Sequence, residues 1–153
     1  QNIKVALPRD ARPATSDMLK RFGLEGLRYQ KGDKLSGGEG RRVEILRALA
    51  TQPRVLLVDE PFAGLDPLAM SNVSEALRLL ANDGVGVLLS DHHVRQTLEV
   101  CDRIYILLEG RLLVSGTPQD VARNPIARER YLGEGFLHEN TLLRSLSDSP
   151  TEV

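Results

Sequence analysis

The sequence predicts an α/β protein built on a parallel sheet. Val55-Leu56-Leu57-Val58 and Val85-Gly86-Val87-Leu88-Leu89 are unbroken apolar runs of strand length, the pattern of strands covered on both faces. Between them, Asp66-Pro67 opens a helix, with Asp as the cap and proline at the first helical position. Strand, helix and strand in that order describe a right-handed βαβ unit.

The elements follow in order. Thr15 or Ser16 caps a first helix that carries Met18, Leu19 and Phe22 on one side, and Gly23 closes it. Residues 26–34 are polar and Gly-containing, hence loop. Val43, Leu46, Leu49 and Ala50 recur at helical spacing over residues 37–51, and Pro53 marks the exit. The helix opened by Asp66-Pro67 runs to about Leu80, and Asn82-Asp83-Gly84 turns the chain back. A further helix covers 94–101. Residues 104–108 and 112–115 flank Glu109-Gly110, a tight hairpin turn. Thr117-Pro118 opens another helix, and the Ser-rich stretch 139–153 is a loose tail.

Composition excludes several functions. The 153 residues balance 20 Lys and Arg against 21 Asp and Glu, so no polycation grips nucleic acid. Aromatics are 4% and tryptophan is missing, which argues against a stacking platform for single-stranded bases. One cysteine, Cys101, closes no internal disulfide, and the chain is compatible with a reducing compartment. Cys101 falls on a predicted helix and is assigned to the core. No apolar run reaches the roughly 18 residues of a membrane span. The opening Gln1-Asn2-Ile3-Lys4 has neither an initiator Met nor a signal-peptide pattern; it reads as a start within something longer.

Four constellations carry chemistry. Leu35-Ser36-Gly37-Gly38-Glu39 begins a helix. Locally it is a capping box, Ser36 capping and Glu39 reaching back. The same geometry suits an anion: two glycines admit a close partner, and helix-start N–H groups attract a phosphate. Asp59-Glu60-Pro61 follows the first strand, where α/β sheets place their ligands. There Asp59 would hold Mg²⁺ and Glu60 would orient and deprotonate a water; the alternative is a solvated carboxylate pair. Ala63-Gly64-Leu65-Asp66-Pro67 is explained by a loop ending in a helix cap. Ser90-Asp91-His92-His93 follows the second strand, at the edge where Glu60 emerges. His92 would reach a phosphate or the attacking water. His92 and His93 make a poor metal pair if, as neighbours on a strand or helix, they face apart.

Taken in order, LSGGE, VLLVDEP, AGLDP and SDHH resemble the signature, Walker B strand, D-loop and switch-histidine loop of ABC-type ATPases. The resemblance runs from about residue 1 to 137. Within that family PFAGLDP, SDHHVRQTL and YLGEGF look most like the ATPases of lipopolysaccharide export; those of branched-chain amino acid import are the near alternative. The resemblance implies a P-loop NTPase fold of the ABC type. Residues 1–138 would be its C-terminal portion: 1–52 part of a helical subdomain, 53–138 part of the core, and 139–153 a flexible tail. It implies that Ser36, Gly37, Gly38 and Glu39 form the turn that contacts the γ-phosphate of ATP on an opposite subunit. Asp59 would bind Mg²⁺, Glu60 would act on the hydrolytic water, His92 would be the switch histidine, and Asp66 would touch the partner of a head-to-tail dimer. Partners would be that second ATPase subunit and transmembrane transporter subunits, with no nucleic acid, on the inner face of the cytoplasmic membrane.

The departures are equally specific. No Gly-x-x-x-x-Gly-Lys followed by Ser or Thr occurs, so the phosphate-cradling P-loop and its strand are missing, as are the adenine-stacking aromatic and the glutamine loop. Gly40 stands where a basic residue or Gln is usual, Leu46 replaces a small Ala at the risk of overpacking, and His93 replaces Asn. A non-catalytic module that lends its signature turn to another subunit's ATP is the alternative role. An ABC-type ATPase of chromosome maintenance is disfavoured, because residues 1–34 carry no heptad run.

Overall fold

A computed structural model describes residues 15–133. They belong to two compact units, one ending at Gln96 and the other beginning at Thr97.

In the first unit, β1 (Val55–Asp59) pairs in parallel with β2 (Gly86–Ser90), Val55 opposite Gly86 through Asp59 opposite Ser90. Helix α3 (Pro67–Asn82) connects them, and Asp66 caps it by accepting the Ala69 N–H at 2.9 Å. Its stripe Val73, Ala76, Leu77 and Leu80 is buried, the spacing of one helical face. The chain leaves α3 through Gly84 at φ 85°, a conformation that favours glycine.

The strands are not covered on both faces, as their apolar runs predict. Leu56 is buried, but Val55 is 61% exposed, Leu57 72% and Leu88 61%. Leu57 and Leu88 are register partners and Val55 shares the Leu57 face, so the three form one apolar surface. Among the described residues no third strand joins this sheet.

Helix α1 (Thr15–Arg21) precedes α2 (Gly37–Leu49). Leu19, Phe22 and Leu24 are buried, and Gly23 at φ 64° ends α1. Thr15 and Ser16 both lie within this helix rather than capping it. The segment expected to be plain loop holds two single 3₁₀ turns, Glu25–Leu27 and Gly32–Lys34. In α2, Ile45, Leu46 and Ala50 are buried while Val43 and Leu49 are half-buried. Leu46 is wholly enclosed.

Two glycines of α2 differ sharply. A Cβ at Gly38 would lie 2.7 Å from Ala69 Cβ on α3, whereas one at Gly40 would meet nothing within 4 Å. Gly40→Ala is therefore expected to stabilise the protein by about 0.5–1 kcal/mol, because alanine has less backbone freedom to lose. Gly38→Ala is expected to destabilise it by about 1–3 kcal/mol through overpacking. Paired denaturant melts check both signs.

In the second unit, β3 (Ile104–Leu108) and β4 (Arg111–Gly116) form the predicted antiparallel hairpin. Glu109 and Gly110 turn it at φ 50° and 73°, positive at both positions as a type I′ turn demands. Helix α4 (Val94–Val100) stops one residue short of Cys101, which is half-buried rather than in the core. Helix α5 (Pro118–Arg123) starts at a second capping box, Thr117 with Asp120. Two short turns, Pro125–Ala127 and Arg128–Leu132, follow. Ile104, Ile106, Val114, Val121 and Ala127 are buried. The predicted tail, 139–153, lies outside the described residues.

Candidate functional site

The site gathers where β1 and β2 end. Asp59 and Ser90 are register partners, and the Ser90 hydroxyl donates a short hydrogen bond to Asp59 Oδ1. The ladder continues one residue further, with the Glu60 N–H donating to the Ser90 carbonyl at 2.8 Å. Glu60 then turns the chain at φ 44°, left-handed backbone that costs a non-glycine residue about 1–2 kcal/mol and clusters at functional positions. Pro61 and Phe62 bury themselves immediately afterwards. The turn thereby leaves the Glu60 side chain in solvent, 57% exposed, with Oε1 3.7 Å from His92 Nδ1.

Asp91 holds the two strand exits together. Its side chain is wholly enclosed. It accepts the Phe62 N–H at 2.9 Å, the His93 N–H at 2.8 Å, and a 2.6 Å contact with His93 Nδ1. Burial pushes the Asp91 carboxyl upward, but the backbone N–H groups of His93 and Phe62, with the His93 side chain, outweigh it and hold the group below its ordinary value. The His93 ring also meets Phe62 edge-on, with centroids 6.5 Å apart.

His92 and His93 do not face apart. Their ring centroids are 4.3 Å apart at a 39° tilt. Residues 91–93 lie in neither strand nor helix, so the alternation behind the sequence expectation does not apply.

Helix α2 opens on the Ser36 turn, packed against the segment that leads into α3. Glu39 N–H donates to Ser36 Oγ at 3.3 Å, and Ser36 N–H donates to Glu39 Oε2 at 2.8 Å. The Ser36 backbone N–H, helped by its hydroxyl, holds the Glu39 carboxyl below its ordinary value. The glycines have an internal use too: a Cβ at Gly37 would come within 3.1 Å of Leu65, and Gly38 is buried on Ala69. Arg41, one turn along α2, donates to the Glu60 carbonyl at 3.4 Å. Asp59, Glu60 and His92 thus sit together at the strand ends, and Arg41 links the Ser36 helix to the Glu60 turn. Asp66 caps α3.

Sequence reasoning missed Asp91 and Arg41 as site-building residues. Asp91 stands between two residues that draw the eye, and nothing local announces its burial. Arg41 lies one position beyond Gly40 and looks like an ordinary exposed helical charge. The oxygen donors of Asp59 and Ser90 suit a hard divalent cation, and their place at the strand ends is that of an α/β ligand site.

The family model for ABC transporters matches residues 3–63. The lipopolysaccharide export system ATP-binding protein LptB of Acidithiobacillus ferridurans is 46% identical over 129 residues, 84% of this chain and 54% of the relative. Over most of its length the chain is similar to ABC transporter ATPases. LptB of Escherichia coli K12 is also 46% identical, over 79% of this chain and 50% of that relative. Among solved structures, an ATP-binding cassette of an ABC transporter in its ADP conformation superimposes with a TM-score of 0.72 at 28% identity, covering 83% of this chain and 52% of that one. The cbiO1 subunit of Clostridium perfringens, part of the ABC transporter complex cbiONQ, gives 0.70 at 32% identity, over 81% and 50%. The chain spans about half the length of the curated relatives it matches, and its α/β fold with a parallel sheet is partial relative to the full-length cassettes. No helix among its described residues is long and apolar enough to cross a membrane.

Proposed function

We propose that this ABC ATPase segment supplies the water-activating side of an ATP-hydrolysing site in a lipopolysaccharide-export transporter. The observation that supports it most is the 3.7 Å approach of Glu60 Oε1 to His92 Nδ1, at the ends of two paired parallel strands. Glu60 is the general base that takes the proton of the attacking water, a role worth roughly 10²–10⁴ in rate. His92 contacts the γ-phosphate and that water. Asp59 holds Mg²⁺, which when bound offsets charge on the phosphates. Ser36, Gly37, Gly38 and Glu39 present N–H groups to ATP on a second ATPase subunit across a head-to-tail dimer, and Asp66 meets that subunit. Residues 1–52 belong to the helical subdomain and 53–138 to the core of the ATPase, docked on transmembrane subunits at the inner face of the cytoplasmic membrane.

The 153 residues contain no P-loop, so by themselves they do not cradle ATP. Calorimetric titration of the isolated chain with Mg-ATP is expected to show no micromolar binding, and micromolar binding would contradict this. The capped Ser36 turn, present where no P-loop is, favours a second reading: the chain serves another subunit's ATP. Adding the chain to an intact ABC ATPase subunit would then stimulate hydrolysis, and indifference would remove that reading.

A further inference from the structure

We propose that the segment following β2 binds a divalent transition-metal ion of the zinc, nickel or copper class, through His92 and His93 with the carboxylates around them. One ligand atom each from Asp91, His92 and His93 lies within 4.8 Å of the other two. His92 Nδ1 has Asp91 Oδ1 at 3.8 Å on one side and Glu60 Oε1 at 3.7 Å on the other. Ligand atoms around tetrahedral zinc, at about 2.0–2.1 Å from the metal, stand roughly 3.3–3.4 Å apart. The 3.7 Å between His92 Nδ1 and Glu60 Oε1 closes to those values by a few tenths of an ångström, while Asp91 Oδ1, engaged with His93 Nδ1 at 2.6 Å, stays outside the metal's own ligands. The Glu60 and His92 side chains are 57% and 66% exposed, so both are able to make that adjustment.

The donor types choose the metal. Two imidazoles with carboxylates form a nitrogen-rich set that suits zinc, nickel or copper. Magnesium prefers oxygen ligands, and the Asp59 carboxylate with the Ser90 hydroxyl offers those instead. The enclosed Asp91 carboxylate supplies an outer shell: its 2.6 Å contact with His93 Nδ1 fixes one ring as metal-ligating histidines require. Phe62 closes the site behind that ring. Metal occupancy would engage Glu60 and His92 and so oppose ATP hydrolysis; that consequence rests on the ATPase reading, whereas metal binding does not.

The test is titration of the full 153-residue chain with Zn²⁺, with Co²⁺ absorption as the spectroscopic counterpart. One ion per chain at micromolar affinity is expected. His93→Asn and, separately, His92→Gln are each expected to weaken binding tenfold or more, with Cys101→Ser unchanged. Circular dichroism establishes that each variant is folded. If His93→Asn does not fold, His92→Gln, at an exposed side chain, decides alone. No binding by the unaltered chain, unchanged affinity in a folded histidine variant, or loss of binding in Cys101→Ser would each overturn the proposal.

Discussion

Asp91→Ala is expected to destabilise the first unit by about 2–4 kcal/mol. The carboxylate accepts from two backbone N–H groups and approaches one imidazole nitrogen, and its side chain is wholly enclosed. Removing it strands the Phe62 N–H, on a residue that is itself fully buried. An unmet buried donor costs about 1–3 kcal/mol, and losing hydrogen bonds to a charged acceptor adds to that. Asp91→Asn keeps the shape and part of the bonding, so it is expected to cost less. Thermal melts of the two variants beside the unaltered chain give the order.

The same carboxylate sets a pH dependence. Asp91, Glu39 and Asp120 all lie below their ordinary values in the folded protein. The Thr117 hydroxyl and then its backbone N–H lower Asp120, as the Ser36 backbone N–H lowers Glu39. A depressed folded value means that the unfolded chain takes up protons first as pH falls. The stabilisation is therefore complete above the ordinary carboxylate range, near pH 4, and is lost as pH falls through the lower folded values. The melting temperature is expected to be level near neutral pH and to drop on the acid side. Asp91→Asn should reduce that drop; an unchanged acid slope would mean that the Asp91 bonds carry little stability.

The parts of this molecule that were legible in sequence are those fixed by local chemistry. Asp66-Pro67, Thr117-Pro118 and Ser36 with Glu39 state their helix starts through caps that need only a few neighbouring residues. Glu109-Gly110 states its hairpin through the two positive φ values that the turn demands. The apolar runs state that strands exist, but not what covers them. Val55, Leu57 and Leu88 read as interior, yet they form an open face, because burial depends on the neighbouring layer and not on the run itself. The site divides in the same way. The gathering of Asp59, Glu60 and His92 at the strand ends was legible because parallel strands that end together bring their exits to one edge. The Asp91 staple and the Arg41 link depend on contacts across 29 and 19 positions of chain, which no local pattern encodes. The adjacent histidine rings, tilted 39° to each other, escape the expectation because strand alternation does not hold where the backbone is irregular.

Glu60 is the residue on which the functional account turns. Its backbone is committed through the Ser90 bond and the left-handed turn, while its side chain is exposed and approaches His92 at 3.7 Å. Glu60→Gln keeps size and backbone and removes the proton-accepting charge. It should leave the melting temperature nearly unchanged, so lost activity cannot be ascribed to unfolding. The most direct measurement is single-turnover hydrolysis of ATP by a P-loop-bearing form of the protein, with and without Glu60→Gln. A fall of roughly 10²–10⁴ in rate, with ATP retained in the dimer, is the predicted result. Hydrolysis at close to the normal rate by the variant would contradict the assignment of Glu60 as the base.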